Sequence, residues 1–256
     1  MTAAPTSRTQ GERADQTRAR ILDAAIGQFA ENGLAGARTE QIAEAAGVNK
    51  ALLYYYFKSK EELYRSAIES VADGVRAANL AVLESQASPG ERFVALVLQH
   101  FDRILTKRNF QSLMQQEMIR LHRGESNALS PIVERVFRPL MERMGEVIAE
   151  GIASGELIQT DAMQMHYSAM GANAFYFLSA PMMQVLLGTD PLEHKAMEHR
   201  RRASILYLGQ AIFVDRAHGA QVAERVLAAS PIPEGAEYIG HPMHGLRGKH
   251  KFFFKR

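Results

Sequence analysis

Lys50, Tyr54, Tyr55 and Tyr56 stand within one short segment, and Lys58 and Lys60 follow directly. A lysine donates to guanine O6 and N7, and a tyrosine brings a ring for a thymine methyl and a hydroxyl for a base edge or phosphate. Neighbouring helix residues point about 100° apart, so three successive tyrosines cannot share one core face. Taken singly, a tyrosine is more often a core or surface residue than a contact. Three beside lysines favour a nucleic-acid surface. Other chemistry is weakly represented. The chain has no cysteine, which excludes disulfides, thiolate zinc sites and cysteine nucleophiles and is consistent with a reducing cytoplasm. His194 and His199 are five apart and do not stack on one helix face; His241, His244 and His250 sit near the C-terminus, where metal binding would be adventitious. No serine, histidine and aspartate arrangement and no phosphate-cradling glycine loop stands out. Neither catalysis, a metal nor a cofactor is expected.

The tyrosines and lysines need a scaffold, and the preceding residues describe one. In TEQIAEAAGVNKALLYYYFKSK, from Thr39 to Lys60, two short helices flank a turn. Ile42 and Ala46 pack the first inward, with Ala43 and Ala45 small enough for close approach. Gly47 supplies a turn that calls for positive φ, Val48 plugs it, and Asn49 caps the next helix. Leu53 and Phe57, four apart, face the core. Lys50, Ala51, Tyr54 and Tyr55 then face outward, the N-terminal ones best placed for base edges. Tyr56, Lys58 and Lys60 follow where a DNA backbone passes. Thr39, with the open amides of a helix start, suits a phosphate.

Around this unit nearly every segment has helical period, and no strand alternation is convincing. Ile21, Leu22, Ala25, Ile26, Phe29 and Ala30 form one apolar face that ends at Asn32-Gly33. Ser59 to Glu62 reads as a capping box opening a long helix to about Ser85. Ser88-Pro89-Gly90-Glu91 and Asp190-Pro191-Leu192-Glu193 read as two further starts. Ser130-Pro131 and Thr160-Asp161 mark two more. Pro139 is expected to kink or break its helix, and Pro181 to stop another near Ala180. HRRRASILYLGQAIFV, residues 199–214, reads as the last of about nine helices. Residues 1–16 are expected as a flexible arm and 230–256 as a loosely ordered tail.

Residues 17–68 resemble the N-terminal domain of the TetR family of bacterial transcriptional repressors. The likeness runs through ILDAAIGQFAENG, T-x-x-x-IAEAAGV and LYYYFKSKEEL. It implies an all-α homodimer with a three-helix DNA-binding domain, here 17–64, and a larger ligand-binding and dimerisation domain, here 65–229. By position, Lys50, Ala51, Tyr54 and Tyr55 match the family's base contacts, and Thr39, Tyr56 and Lys60 its phosphate contacts. Tyr56 stands where many relatives have histidine; both donate to phosphate.

Beyond Ile68 the resemblance fades. Methionines and phenylalanines gather in one half of the chain, from about Phe101 to Met183, and methionine adapts to irregular space. An ordinary helical core explains any one of them. Family resemblance favours an apolar effector cavity drawn from Phe101, Met114, Met118, Phe137, Met141, Met170, Asn173 and Phe177, with Asn173 as the polar contact. The family's last two helices form its dimer interface, which would bury Leu206, Leu208, Gly209, Ile212 and Phe213 between subunits; an intramolecular core is the competing reading. The expected protein is a cytoplasmic, ligand-responsive repressor that binds a double-stranded DNA operator and an unidentified small-molecule effector. No run approaches the ~18 apolar residues of a membrane span. The net charge of +2 provides no overall basic field, so DNA affinity must come from where charges sit. The alternatives are an activator of the same fold and a helical small-molecule-binding protein that has lost DNA binding.

Overall fold

The computed structural model describes residues 10–125 and 128–233, which form two units, 10–77 with 108–138 and 78–107 with 139–233. The grouping differs from the division expected at 64/65, because 65–77 and 108–138 join the N-terminal helices. Eleven α-helices and one π-helical turn are present among the described residues, with an isolated bridge between Leu157 and Phe213 in place of any sheet.

In the first unit, α1 (Gln10–Gly36) takes in residues 10–16, expected as part of an arm, and breaks at Gly33, whose φ is 67°. Helices α2 (Thr39–Ala45) and α3 (Lys50–Tyr56) follow, then α4 (Lys60–Leu83). Ile21, Ala25, Phe29, Ile42, Leu53, Leu63 and Ile68 are fully buried, and the Phe29 and Tyr64 rings meet edge to face at 5.0 Å. Each isoleucine, leucine or phenylalanine among them contributes about 1.5–3 kcal/mol by leaving water. Ala45, expected at a close approach, is exposed. Ser59 Oγ accepts from the Glu62 amide at 3.1 Å, as a capping box requires. The Glu62 carboxylate accepts from the Lys58 amide at 3.0 Å, one residue upstream of the expected partner.

Helix α6 (Arg108–His122) holds this bundle through polar groups. Ser112 Oγ and Gln116 Nε2 both donate to the Ala30 carbonyl, at 2.9 and 2.8 Å, near the end of α1. The Tyr64 hydroxyl donates to fully buried Glu117 at 2.7 Å, and Arg120 lies 3.0 Å from the same carboxylate. Burial and this carboxylate raise the Tyr64 pKa. Nothing in the sequence flags the break between α5 and α6 at Lys107, which is neither glycine nor proline. After α7 (Leu129–Ile132), a π turn over Val133–Phe137 leads into α8 (Arg138–Ala153). This is how the chain absorbs Pro139. The residue has no amide to donate and its ring clashes with the carbonyl four back, so the turn widens; the Arg138 amide reaches back five residues to Val133 O.

In the second unit, α5 (Pro89–Thr106) has ten buried residues and packs with α9 (Ala162–Leu187), α10 (His194–Ile212) and α11 (Arg216–Ala229). Ser88 caps α5, but the carboxylate that completes the cap comes from Glu156, which accepts from Ser88 Oγ at 2.5 Å and the Gly90 amide at 2.9 Å. Asp161 caps α9 by accepting from the Gln164 amide at 2.9 Å. Three expectations fail here. Helix α9 runs through Pro181 to Leu187. Its loss of one backbone bond is outweighed where Phe177 and Ala180 pack against Phe101, Leu105, Leu192 and Met197. Asp190 starts a turn, accepting from the Leu192 amide at 2.9 Å, so α10 begins at His194. The expected last helix is also followed by another, α11. Asp215 caps it by accepting from the Ala217 and His218 amides at 2.8 and 3.2 Å.

Candidate nucleic-acid interface

Helix α2 closes with a double backbone turn. The Val48 amide donates to Ala43 O at 2.9 Å and the Gly47 amide to Glu44 O at 3.0 Å, while Gly47 takes φ 65°. This six-to-one and five-to-two pair ends a helix on a left-handed residue, where glycine carries no Cβ penalty. Asn49 then starts α3, its Oδ1 accepting from the Leu52 amide at 2.7 Å. Leu53 and Phe57 point into the core, at 0% and 1% exposure. Their burial fixes the rotation of α3, so Lys50, Ala51, Tyr54 and Tyr55 all face water, Tyr55 at 80% exposure. Tyr56 is half-buried and meets Tyr55 edge to face at 5.4 Å.

This outward face is organised before any partner arrives. Tyr54 Oη lies 3.3 Å from Thr39 Oγ1, which ties the start of α2 to the middle of α3. Lys50 Nζ sits 5.9 Å from the centre of the Tyr54 ring. Thr39 is buried, and Arg38 ahead of it makes no side-chain cap. Lys60 is half-buried, with Nζ donating to Ala35 O at 3.2 Å; its ammonium retains further donors. Sequence reasoning missed Glu40. Its carboxylate lies 2.5 Å from Lys50 Nζ, and each partner shifts the other, the lysine pKa up and the glutamate pKa down through this hydrogen bond. Ten residues separate the two, so only the folded turn reveals the pair.

The expected effector residues do not fall in one unit. Met114, Met118 and Phe137 belong to the first, where Met118 is largely exposed; Phe101, Met141, Met170, Asn173 and Phe177 belong to the second. There the Phe101 and Phe177 rings lie 5.1 Å apart, and Asn173 Nδ2 donates to Val97 O at 3.1 Å. The Asn173 amide is thus bonded to backbone within the protein.

The expected dimer residues need correction. Leu208, Gly209, Ile212 and Phe213 are buried within the single chain, and Leu206 is half-buried. A Cβ on Gly209 would meet Gly219 O of α11 at 2.4 Å, and one on Gly219 would meet Gly209 O at 1.9 Å. Two glycines let α10 and α11 cross backbone to backbone. Helix α11 covers this face of α10 within the chain. Large side chains that do stand in water include Tyr167, Phe175, Leu178 and Met182 on α9 and Tyr207 on α10. Among the described residues, no group of three or more histidine and carboxylate side chains could hold a metal ion, and no helix is long and apolar enough to cross a membrane.

Known proteins place this geometry. Residues 21–67 match the tetR family of bacterial regulatory proteins, and residues 89–206 the tetracyclin repressor-like C-terminal domain. The HTH-type transcriptional repressor NicS of Pseudomonas putida is 31% identical over 67% of this chain and 79% of its own length. The HTH-type transcriptional regulator RutR of Escherichia coli is 26% identical over 71% of this chain and 84% of its own. A crystal structure of a TetR/AcrR-family regulator from Thermobifida fusca superposes with a TM-score of 0.56 at 27% identity, covering 75% of this chain and 95% of that one. With its helix-turn-helix followed by a larger helical body, the chain belongs to the tetR family of bacterial regulatory proteins and is a transcription regulator.

Proposed function

We propose that this protein is a cytoplasmic, ligand-responsive repressor that binds a near-palindromic DNA operator as a homodimer. One observation carries the reading: burial of Leu53 and Phe57 turns Lys50, Ala51, Tyr54 and Tyr55 together into water on one side of α3. A helix so oriented fits the major groove with its N-terminal residues on base edges. Lys50 and Tyr54 read bases, and Thr39, Tyr56 and Lys60 hold phosphates. Likeness to the repressor NicS supports the repressor assignment.

A dimer places two such helices in successive major grooves, roughly 34–36 Å apart or somewhat further. The exposed apolar face of α9 supports self-association, with Phe175, Leu178 and Met182 joined by Tyr207 of α10. The effector occupies the second unit beside α5 and α9. Helix α4 runs from residue 60 in the first unit to residue 83 in the second, so a shift at its C-terminal end is felt at its N-terminal end. An effector that favours the shifted arrangement lowers the population competent for the operator. Fluorescence anisotropy tests the reading with selected operator duplexes and random duplex, each with and without candidate effectors. Preference for one palindromic sequence, weakened by an effector, is the expected result; equal affinity for all duplexes defeats it.

A further inference from the structure

Helix α5 is mostly apolar, but Gln99, His100 and Arg103 cluster in its C-terminal half. The cluster grips the last turns of α4. Gln99 Nε2 donates to Ala78 O at 3.2 Å, and Arg103 Nη2 donates to Asn79 Oδ1 at 2.8 Å and to Gln99 Oε1 at 3.4 Å. These acceptors are neutral amides. Adjacent Asp102 is committed to Arg201, which it holds with two bonds at 2.7 and 2.8 Å. Among the described residues no carboxylate pairs with Arg103, and burial lowers its pKa with no opposing charge.

Two imidazoles share this surrounding. His100 Nδ1 on α5 and His166 Nδ1 on α9 are both buried with no hydrogen-bond partner. Burial first, then the charge of Arg103, lowers the His100 pKa to about 4, and burial lowers that of His166 as well. A guanidinium removed from water without a counter-charge is costly, and so is each orphaned polar nitrogen. The three side chains come from α5 and α9, and together they lack one thing: an acceptor with negative charge.

We propose that Arg103, His100 and His166 form the effector subsite that takes the carboxylate of a small organic monoanion, an inference that rests on the ligand-responsive repressor reading. One uncompensated cation calls for a single negative charge, since neutral imidazoles donate without adding charge. The carboxylate accepts from the guanidinium in the bidentate geometry such pairs favour and from the imidazole N–H groups. In doing so it competes with Asn79 for Arg103, which loosens the hold of α5 on the end of α4.

Isothermal titration calorimetry on the full-length, DNA-free protein tests this, with benzoate and hexanoate as probes and benzamide and hexanamide as neutral matches. The acids bind at least about tenfold more tightly than their amides, in keeping with the greater strength of hydrogen bonds to a charged acceptor. Arg103→Gln removes that preference and Arg103→Lys retains part of it. His166→Gln weakens acid binding more than it weakens amide binding, because the charged acceptor makes the stronger hydrogen bond. In thermal melts without ligand, Arg103→Gln melts no lower than the parent, because it removes a cation with no counter-charge while glutamine keeps an amide that can donate to Asn79. The proposal is overturned if the amides bind as tightly as the acids, if neither acid binds, or if the preference for acids survives Arg103→Gln. Anisotropy on operator DNA separates the two readings. A chain that prefers its operator but ignores the acids defeats the anion site alone. One that binds the acids but prefers no DNA sequence defeats the repressor alone.

Discussion

Helices α3 and α9 both hold large apolar side chains in water, and the difference between them distinguishes two kinds of partner. On α3 the exposed rings are Tyr54 and Tyr55, each with a hydroxyl, beside Lys50. On α9 the exposed side chains include Phe175, Leu178 and Met182, none with a polar group that donates. The first surface offers donors for base edges and phosphates; the second offers only area to be removed from water. Exposed apolar area of this second kind marks a surface for another protein, while phenol and ammonium together suit a polyanion. The α3 face is also fixed in advance by Thr39 and Glu40, whereas the hydrocarbon side chain of Leu178 has no polar atom by which a hydrogen bond could hold it.

The comparison can be broken at either helix. Leu178→Asp puts a charge into the α9 face and should weaken self-association by about 3 kcal/mol or more, as at a buried hot spot. Sedimentation velocity should then show folded monomer, and an unchanged oligomeric state would remove α9 from the interface. Gly209→Val serves as its counterpart, since its side chain would run into Gly219 O. It should lower folding stability by about 1–3 kcal/mol, seen in a denaturant titration. Dissociation with no loss of stability would return Gly209 to the interface. On α3, Tyr54→Ala should cost about 1–3 kcal/mol on operator DNA and less on random duplex if it reads a base; equal losses would make it a backbone contact. Lys60→Ala should weaken all duplexes alike and reduce the salt slope by about one counterion. The smallest change comes from Glu40→Gln. Freeing Lys50 from a carboxylate should raise affinity for all duplexes slightly, in an anisotropy titration at low salt, because a negative charge leaves the phosphate side. Lower affinity would mean that Glu40 positions Lys50 instead.

Local signals explain what could be read in advance. Asn49 and Ser59 as caps, Gly47 as the turn and the four-residue spacing of Leu53 and Phe57 are each short-range, and each appears in the structure at its expected residue. Because the spacing of Leu53 and Phe57 sets the rotation of α3, the exposure of Tyr54 and Tyr55 followed from it. The misses were of two kinds. Pro181 inside α9, the break at Lys107 and the false start at Asp190 depend on packing that outweighs or replaces a local signal. Helix α11 carries a local start signal in Asp215, and its packing against α10 decides which face of α10 is buried within the chain.

Sequence alone determined the helix-turn-helix and its outward lysine and tyrosines, because caps, turn glycines and a helical period act within a few residues of one another. Tertiary structure decided which charges are answered and which are not. Lys50 finds Glu40 ten positions away, Asp102 finds Arg201 across ninety-nine, and Arg103 finds only amides. Such pairings depend on distances in space that no local pattern of residues encodes.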